Sequence, residues 1–112
     1  MEMKVSDAEG ITIIHFDGML DGQTSPAAQA AFERLLEQGV TRILANFEQL
    51  SFISSAGLRV LLYTAKELKN RQGEVRICGA GPSVVEVFEI SGFNTIISLV
   101  DSEAEALEDW KD

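Results

Sequence analysis

The stretch SFISSAGLRVLL, residues 51–62, decides how the rest of the chain is read. Phe52 and Ile53 close an apolar run, Ser54 and Ser55 follow, and Leu58 begins a stripe that continues through Leu61, Leu62, Ala65 and Leu68. Spacings of three and four place those side chains on one face of a helix. The two serines therefore stand at a helix start, where the first amides lack partners within the helix and the helix dipole is positive. Such a position takes a serine oxygen as a cap, and it also favours a phosphate. Gly57 falls in the first turn, where glycine costs about 0.8–1 kcal/mol relative to alanine. Its presence points to close approach by a neighbouring backbone or by a partner.

The flanking segments alternate in type. Before the serines, residues 41–47 (TRILANF) read as a short buried strand, followed by a loop over 50–57. Further upstream, 3–6 and 11–16 (ITIIHF) read as two strands joined by the turn 7–10. Residues 17–24 (DGMLDGQT) carry two Asp-Gly pairs and are expected to form a loop. Ser25-Pro26 opens a helix with serine as its cap, Ala28, Phe32, Leu35 and Leu36 form its apolar face, and Gly39 ends it. Downstream, Gly73 closes the central helix and Glu74–Cys78 is a strand. Gly81-Pro82 starts a helix with Val84, Val87 and Phe88 on one side and Gly92 as its stop. Residues 95–100 read as a last strand, and Ser102 with Glu105 makes the capping box of a final short helix.

The order ββαβαβαβα predicts an α/β fold over a single unit, 1–112: a mainly parallel sheet with helices packed against it. In such sheets ligands and partners meet the carboxyl ends of the strands. The loops over 17–24 and 50–57 are both expected there.

Composition narrows the functional classes. Nine basic residues against eighteen acidic ones leave a net charge of −9, which argues against nucleic-acid binding and against anionic membrane surfaces. The first ten residues, MEMKVSDAEG, have no basic stretch followed by an apolar run, so no signal peptide is expected. No apolar run approaches the roughly 20 residues needed to span a bilayer, so no membrane insertion is expected. Cys78 is the one cysteine, lies in the apolar stretch EVRIC, and reads as a small core residue. The one histidine, His15, lies within a strand. One histidine and one cysteine make no transition-metal cluster, and there is neither a Gly-x-Ser-x-Gly elbow nor a glycine-rich phosphate loop. The chain is expected to be no enzyme and to need no cofactor.

The motif FISSAGL, following a strand that ends in the acidic stretch NFEQL, resembles the signature of STAS domains. The likeness runs over nearly the whole chain and extends to Asp21 and to the later SGF at 91–93. It is strongest to the free-standing bacterial anti-sigma-factor antagonists. The resemblance implies a cytoplasmic protein that binds an anti-sigma factor with serine-kinase activity. The kinase phosphorylates one serine, the phosphorylated antagonist lets go, and a phosphatase resets it. The family motif, Asp-Ser-(Ser/Thr/Ala)-Gly-Leu, puts the modified serine at Ser55, and it matches Gly57-Leu58 here. It also implies partner contacts at Asp21, Gly22, Ser54, Ser55, Gly57 and Leu58. Ser54 departs from the pattern by standing where aspartate is usual. That substitution removes a charge and makes Ser54 a second candidate acceptor. The same likeness leaves room for a constitutive STAS subunit of a larger complex, such as a lipid-transport ATPase or a stress-sensing assembly, without phosphorylation.

Overall fold

The computed structural model describes residues 1–110. A five-stranded sheet runs in the order β1-β2-β3-β4-β5, formed by Glu2–Ala8, Ile11–Leu20, Arg42–Ile53, Glu74–Cys78 and Ser98–Val100. β1 is antiparallel to β2, and every later pairing is parallel. The helices are α1 (Ser25–Glu37), α2 (Ser55–Asn70), α3 (Pro82–Ser91) and α4 (Glu103–Asp109). The element order is the one read from the sequence.

Two cores hold the layers together. On one face, Ala28 and Phe32 of α1, Leu61 and Leu68 of α2, and Phe88 of α3 pack on Ile14, Phe16, Ile43, Phe47 and Ile77 of the sheet. Phe16 sits at the centre, its ring 5.6 Å from Phe47 in an edge-on arrangement and 5.9 Å from Phe32. On the other face, Ala106 and Trp110 cover Ile11, Ile13, Leu44 and Cys78. Burial suppresses ionisation of the Cys78 thiol, pushing it up to about 12, with the Glu103 and Glu48 carboxylates adding to the shift. Cys78 is thus the small core residue its context suggested.

Four expectations are corrected. The segment 17–24 is not all loop, because β2 continues to Leu20. Gly18, at φ +116°, absorbs the irregularity as a bulge in the β2–β3 register rather than as a turn. The segment 50–57 is not a loop either: β3 continues to Ile53, and only Ser54 separates it from α2. The extra residues of the two strands pair with one another, Met19 with Phe52 and Leu20 with Ile53. The strand expected over 95–100 is only Ser98–Val100, since Phe93–Thr95 form a 3-10 turn. The Thr95 hydroxyl donates to the Gly92 carbonyl at 2.7 Å, so local bonds win over the ladder there. Finally, Ser25 does not cap α1. Thr24 is the cap residue, without a side-chain cap bond, and the Ser25 hydroxyl donates back to the Asp21 carbonyl at 2.5 Å.

Candidate functional site

The carboxyl ends of β2 and β3 deliver Asp21 and the serine pair to one place. The Ser54 amide donates to the Leu20 carbonyl at 2.9 Å, which ties the start of α2 to the residue before Asp21. Gly57 makes this approach possible. A Cβ there would lie 2.8 Å from Leu20 Cγ, 2.9 Å from Ile53 Cγ1 and 2.9 Å from the Leu20 carbonyl oxygen. The glycine therefore accommodates the Leu20 and Ile53 side chains as well as the Leu20 backbone. Gly57 and Leu58 are both buried and seat the helix, while Gly22 is exposed.

The two serines have different surroundings. Ser54 is the N-cap of α2, half-buried, and its hydroxyl accepts from the Gly57 amide over a long 3.4 Å. Ser55 occupies the first helical position and is exposed. No acidic side chain lies in the first turn of α2, so the positive end of the helix carries no carboxylate of its own.

Asp21 organises the turn into α1. Its carboxylate accepts from the Gln23 amide at 3.0 Å, the Thr24 amide at 3.1 Å and the Thr24 hydroxyl at 3.2 Å. These bonds favour the charged form, the Thr24 amide most, and hold the carboxyl below its usual range. Asp21 is thus a fixed negative charge beside the start of α2. From Gly22 a shallow groove continues between α1 and α2, lined by Pro26, Ala30, Ala56, Val60 and Tyr63, with Arg59 at its side. Arg59 lies one turn along α2 from Ser55, at the i+4 position that shares its face. Sequence reading missed it, although that spacing was there to be read.

His15 is not part of this site. It lies on the α4 side of the sheet, its Nε2 3.7 Å from Glu103 Oε1. Asn46 donates to the same Glu103 oxygen at 3.0 Å and accepts the Glu48 amide at 2.9 Å. Among the described residues no group of His, Cys, Asp and Glu could hold a metal ion, and no helix is long and apolar enough to cross a membrane.

A sheet of this order with helices packed against it is matched by known proteins. The STAS domain family model fits residues 2–106. The chain belongs to the STAS domain family. Among relatives of this STAS domain, BtrV of Bordetella bronchiseptica is 34% identical over 111 residues, 99% of this chain and 96% of that protein. The anti-sigma-B factor antagonist of Listeria monocytogenes is 32% identical over 107 residues, covering 94% and 91% of the two chains. Among solved structures, the Bacillus cell fate determinant SpoIIAA in its phosphorylated form matches with a TM-score of 0.77 at 26% identity, over 98% of this STAS domain and all of that chain (100%).

Proposed function

We propose that this STAS-domain protein is an anti-sigma factor antagonist, a binding protein rather than an enzyme, and that phosphorylation of Ser55 releases its partner. The observation that carries the reading is the division of labour between the serines. Ser54 holds the helix cap, while Ser55 stands exposed on the next residue, open to a kinase. A homologous fold described in phosphorylated form, SpoIIAA, supports the same reading.

The physics of release follows from the site. Phosphorylation brings about −1.5 to −2 charges and three strong acceptor oxygens. The vacant first turn of α2 tolerates that charge, so the fold survives. The bound partner does not tolerate it, because the phosphate and the fixed Asp21 charge would share a dehydrated contact. A hundredfold loss of affinity needs only about 2.7 kcal/mol. The partner is an anti-sigma factor that is also the serine kinase, with a separate phosphatase for reset, and the meeting takes place in the cytoplasm.

The test is binding of the cognate anti-sigma factor to Ser55→Asp and Ser55→Ala. The aspartate variant should fold yet bind at least a hundredfold more weakly, while the alanine variant binds without regulation. If both bind as wild type does, the phosphorylation switch is wrong for this chain. The constitutive-subunit reading, which draws on Ser54 in place of the usual aspartate, then takes its place.

A further inference from the structure

β2 and β3 run on past their neighbours. β1 pairs no further along β2 than Asp17, and β4 leaves β3 at Asn46. Beyond those points Gly18, Met19 and Leu20 pair only with Leu50, Phe52 and Ile53, forming a two-stranded tip. The tip has one covered side, where Leu20 and Ile53 enter the core. Met19 and Phe52 precede those residues and are register partners, so alternation sends both out on the opposite side. They stand 51% and 49% exposed. Scattered apolar residues on a surface are ordinary. A directly paired Met and Phe on a two-stranded tip is a preformed apolar platform.

The platform is locked to the serine end. The Thr24 hydroxyl donates to the Met19 carbonyl at 2.8 Å, the Ser51 hydroxyl to the Gly18 carbonyl at 3.0 Å, and the Ser54 amide to the Leu20 carbonyl at 2.9 Å. Thr24 is also bonded to the Asp21 carboxylate, and Ser55 is three residues from Phe52. Around the platform the charge is negative. Asp17 is exposed two residues before Met19, the cleft that holds Asp17 carries Glu2, Glu48 and Glu103 against Lys4 and His15, and Asp21 follows Leu20, so the balance is acidic.

We propose that Met19 and Phe52 are the apolar anchor on which the anti-sigma factor docks, the partner supplying an apolar pocket rimmed by Lys and Arg. This rests on the antagonist reading above and adds the contact that supplies the affinity. An aromatic anchor within a charged rim is the usual form of an interface hot spot. The acidic rim selects a basic partner, and it disfavours a second copy of this chain, which would bring another net −9 to the contact. Ser55 then lies at the edge of the contact. A phosphate there acts at the rim of a desolvated patch, and release needs no change in fold.

The experiment is calorimetric titration of the purified anti-sigma factor, with ADP and Mg²⁺, into wild type and into Met19→Thr, Phe52→Thr, the double variant, Ile90→Thr and Ser55→Asp. Threonine keeps strand propensity, and a melting curve for each variant checks the fold. Ile90 is the control, an exposed apolar residue at 79% near the far end of α3. Phe52→Thr should weaken binding at least tenfold and the double variant about a hundredfold, with Ile90→Thr unchanged. The Met19 methyl NMR signal of the wild type should shift on complex formation, a readout that needs no substitution. Suppose the double variant binds within twofold of wild type and the Met19 signal stays put, while Ser55→Asp has lost binding. The anchor is then wrong and the antagonist reading stands. If wild type itself fails to bind, both fall together. If wild type self-associates and the double variant does not, with binding of the anti-sigma factor unaltered, the platform is a homodimer face and the proposal is overturned.

Discussion

Two helices in this molecule begin with the same device and end up electrostatically opposite. At the start of α4 the Ser102 hydroxyl accepts the Glu105 amide at 3.1 Å, and Glu103 and Glu105 fill the first turn with negative charge. Glu103 also meets Asn46 and His15 on the sheet, so this helix start is both neutralised and pinned. At the start of α2 the Ser54 hydroxyl reaches the Gly57 amide only at 3.4 Å, the first turn holds no acid, and the next residue is an exposed serine. A cap alone therefore does not mark a working site. In the proposed antagonist, the distinguishing feature is a cap whose positive end is left open beside the fixed charge of Asp21.

If α4 is the closed member of this pair, what lies beneath it should be inaccessible. Cys78 is fully buried under Ala106 and Trp110, and its thiol is held up at about 12. At pH 8 the native thiolate should then be on the order of a thousandfold scarcer than for a free cysteine. Thiol titration with a disulfide reagent at pH 8 should give almost no reaction in buffer and one full equivalent in denaturant. The sign is fixed by the raised folded value. The unfolded chain loses its proton first as pH rises, so folded stability falls between the ordinary thiol value and about 12. Rapid labelling of the native protein at pH 8 would mean that α4 opens, and the contrast between the two helices would fail.

The next largest effect belongs to the α2 side. Gly57→Ala puts a methyl group within 2.9 Å of the Leu20 carbonyl, and strand backbone cannot yield as a side-chain tip can. Overpacking should outweigh alanine's gain in helix propensity, for a net loss of about 2 kcal/mol by chemical denaturation. Unchanged stability would show that the junction of β2 with α2 is loose, and with it the fixed placement of Ser54 and Asp21.

The order of elements, both helix-starting glycine–proline or serine signals downstream, and the core stripes of α1 and α2 were all legible in the sequence, because hydrophobic period and capping chemistry are local. The paired extensions of β2 and β3 were not. Asp17-Gly18 carries the chemistry of a turn, and only its partner strand makes it a bulge. Met19 and Phe52 were consequently read as loop residues, and nothing local says that they stand opposite one another. The serine pair was visible at once, as was the close approach at Gly57. That Ser54 can serve as the cap was legible too; the 3.4 Å length of its bond to the Gly57 amide was not.

The two caps themselves give a smaller test. Ser102→Ala removes a well-formed bond and should cost about 1 kcal/mol. Ser54→Ala removes a long one and should cost about half that by the same criterion, so long as the Leu20 carbonyl continues to hold the backbone amide. Equal costs would show that Ser54 caps as firmly in solution as Ser102 does, and that its departure from the family aspartate carries no loss of grip on the helix.

An effect of similarly small size separates folding from binding most cleanly. Ser55→Asp places a carboxylate at the first position of a helix that has no acid in its first turn. Interaction with the helix dipole should raise stability by about 0.3–1 kcal/mol at low ionic strength, and the gain should shrink as salt is added. Repulsion from Asp21 opposes this, but Asp21's charge is already engaged by two backbone amides and the Thr24 hydroxyl, so the dipole should prevail. Denaturation of wild type and variant at low and high salt reads the difference directly. A variant that is slightly more stable yet no longer binds would place the whole effect of the added charge in the interface. A variant that is destabilised would instead mean that Asp21 dominates the start of α2, and that phosphate weakens the antagonist by loosening its fold.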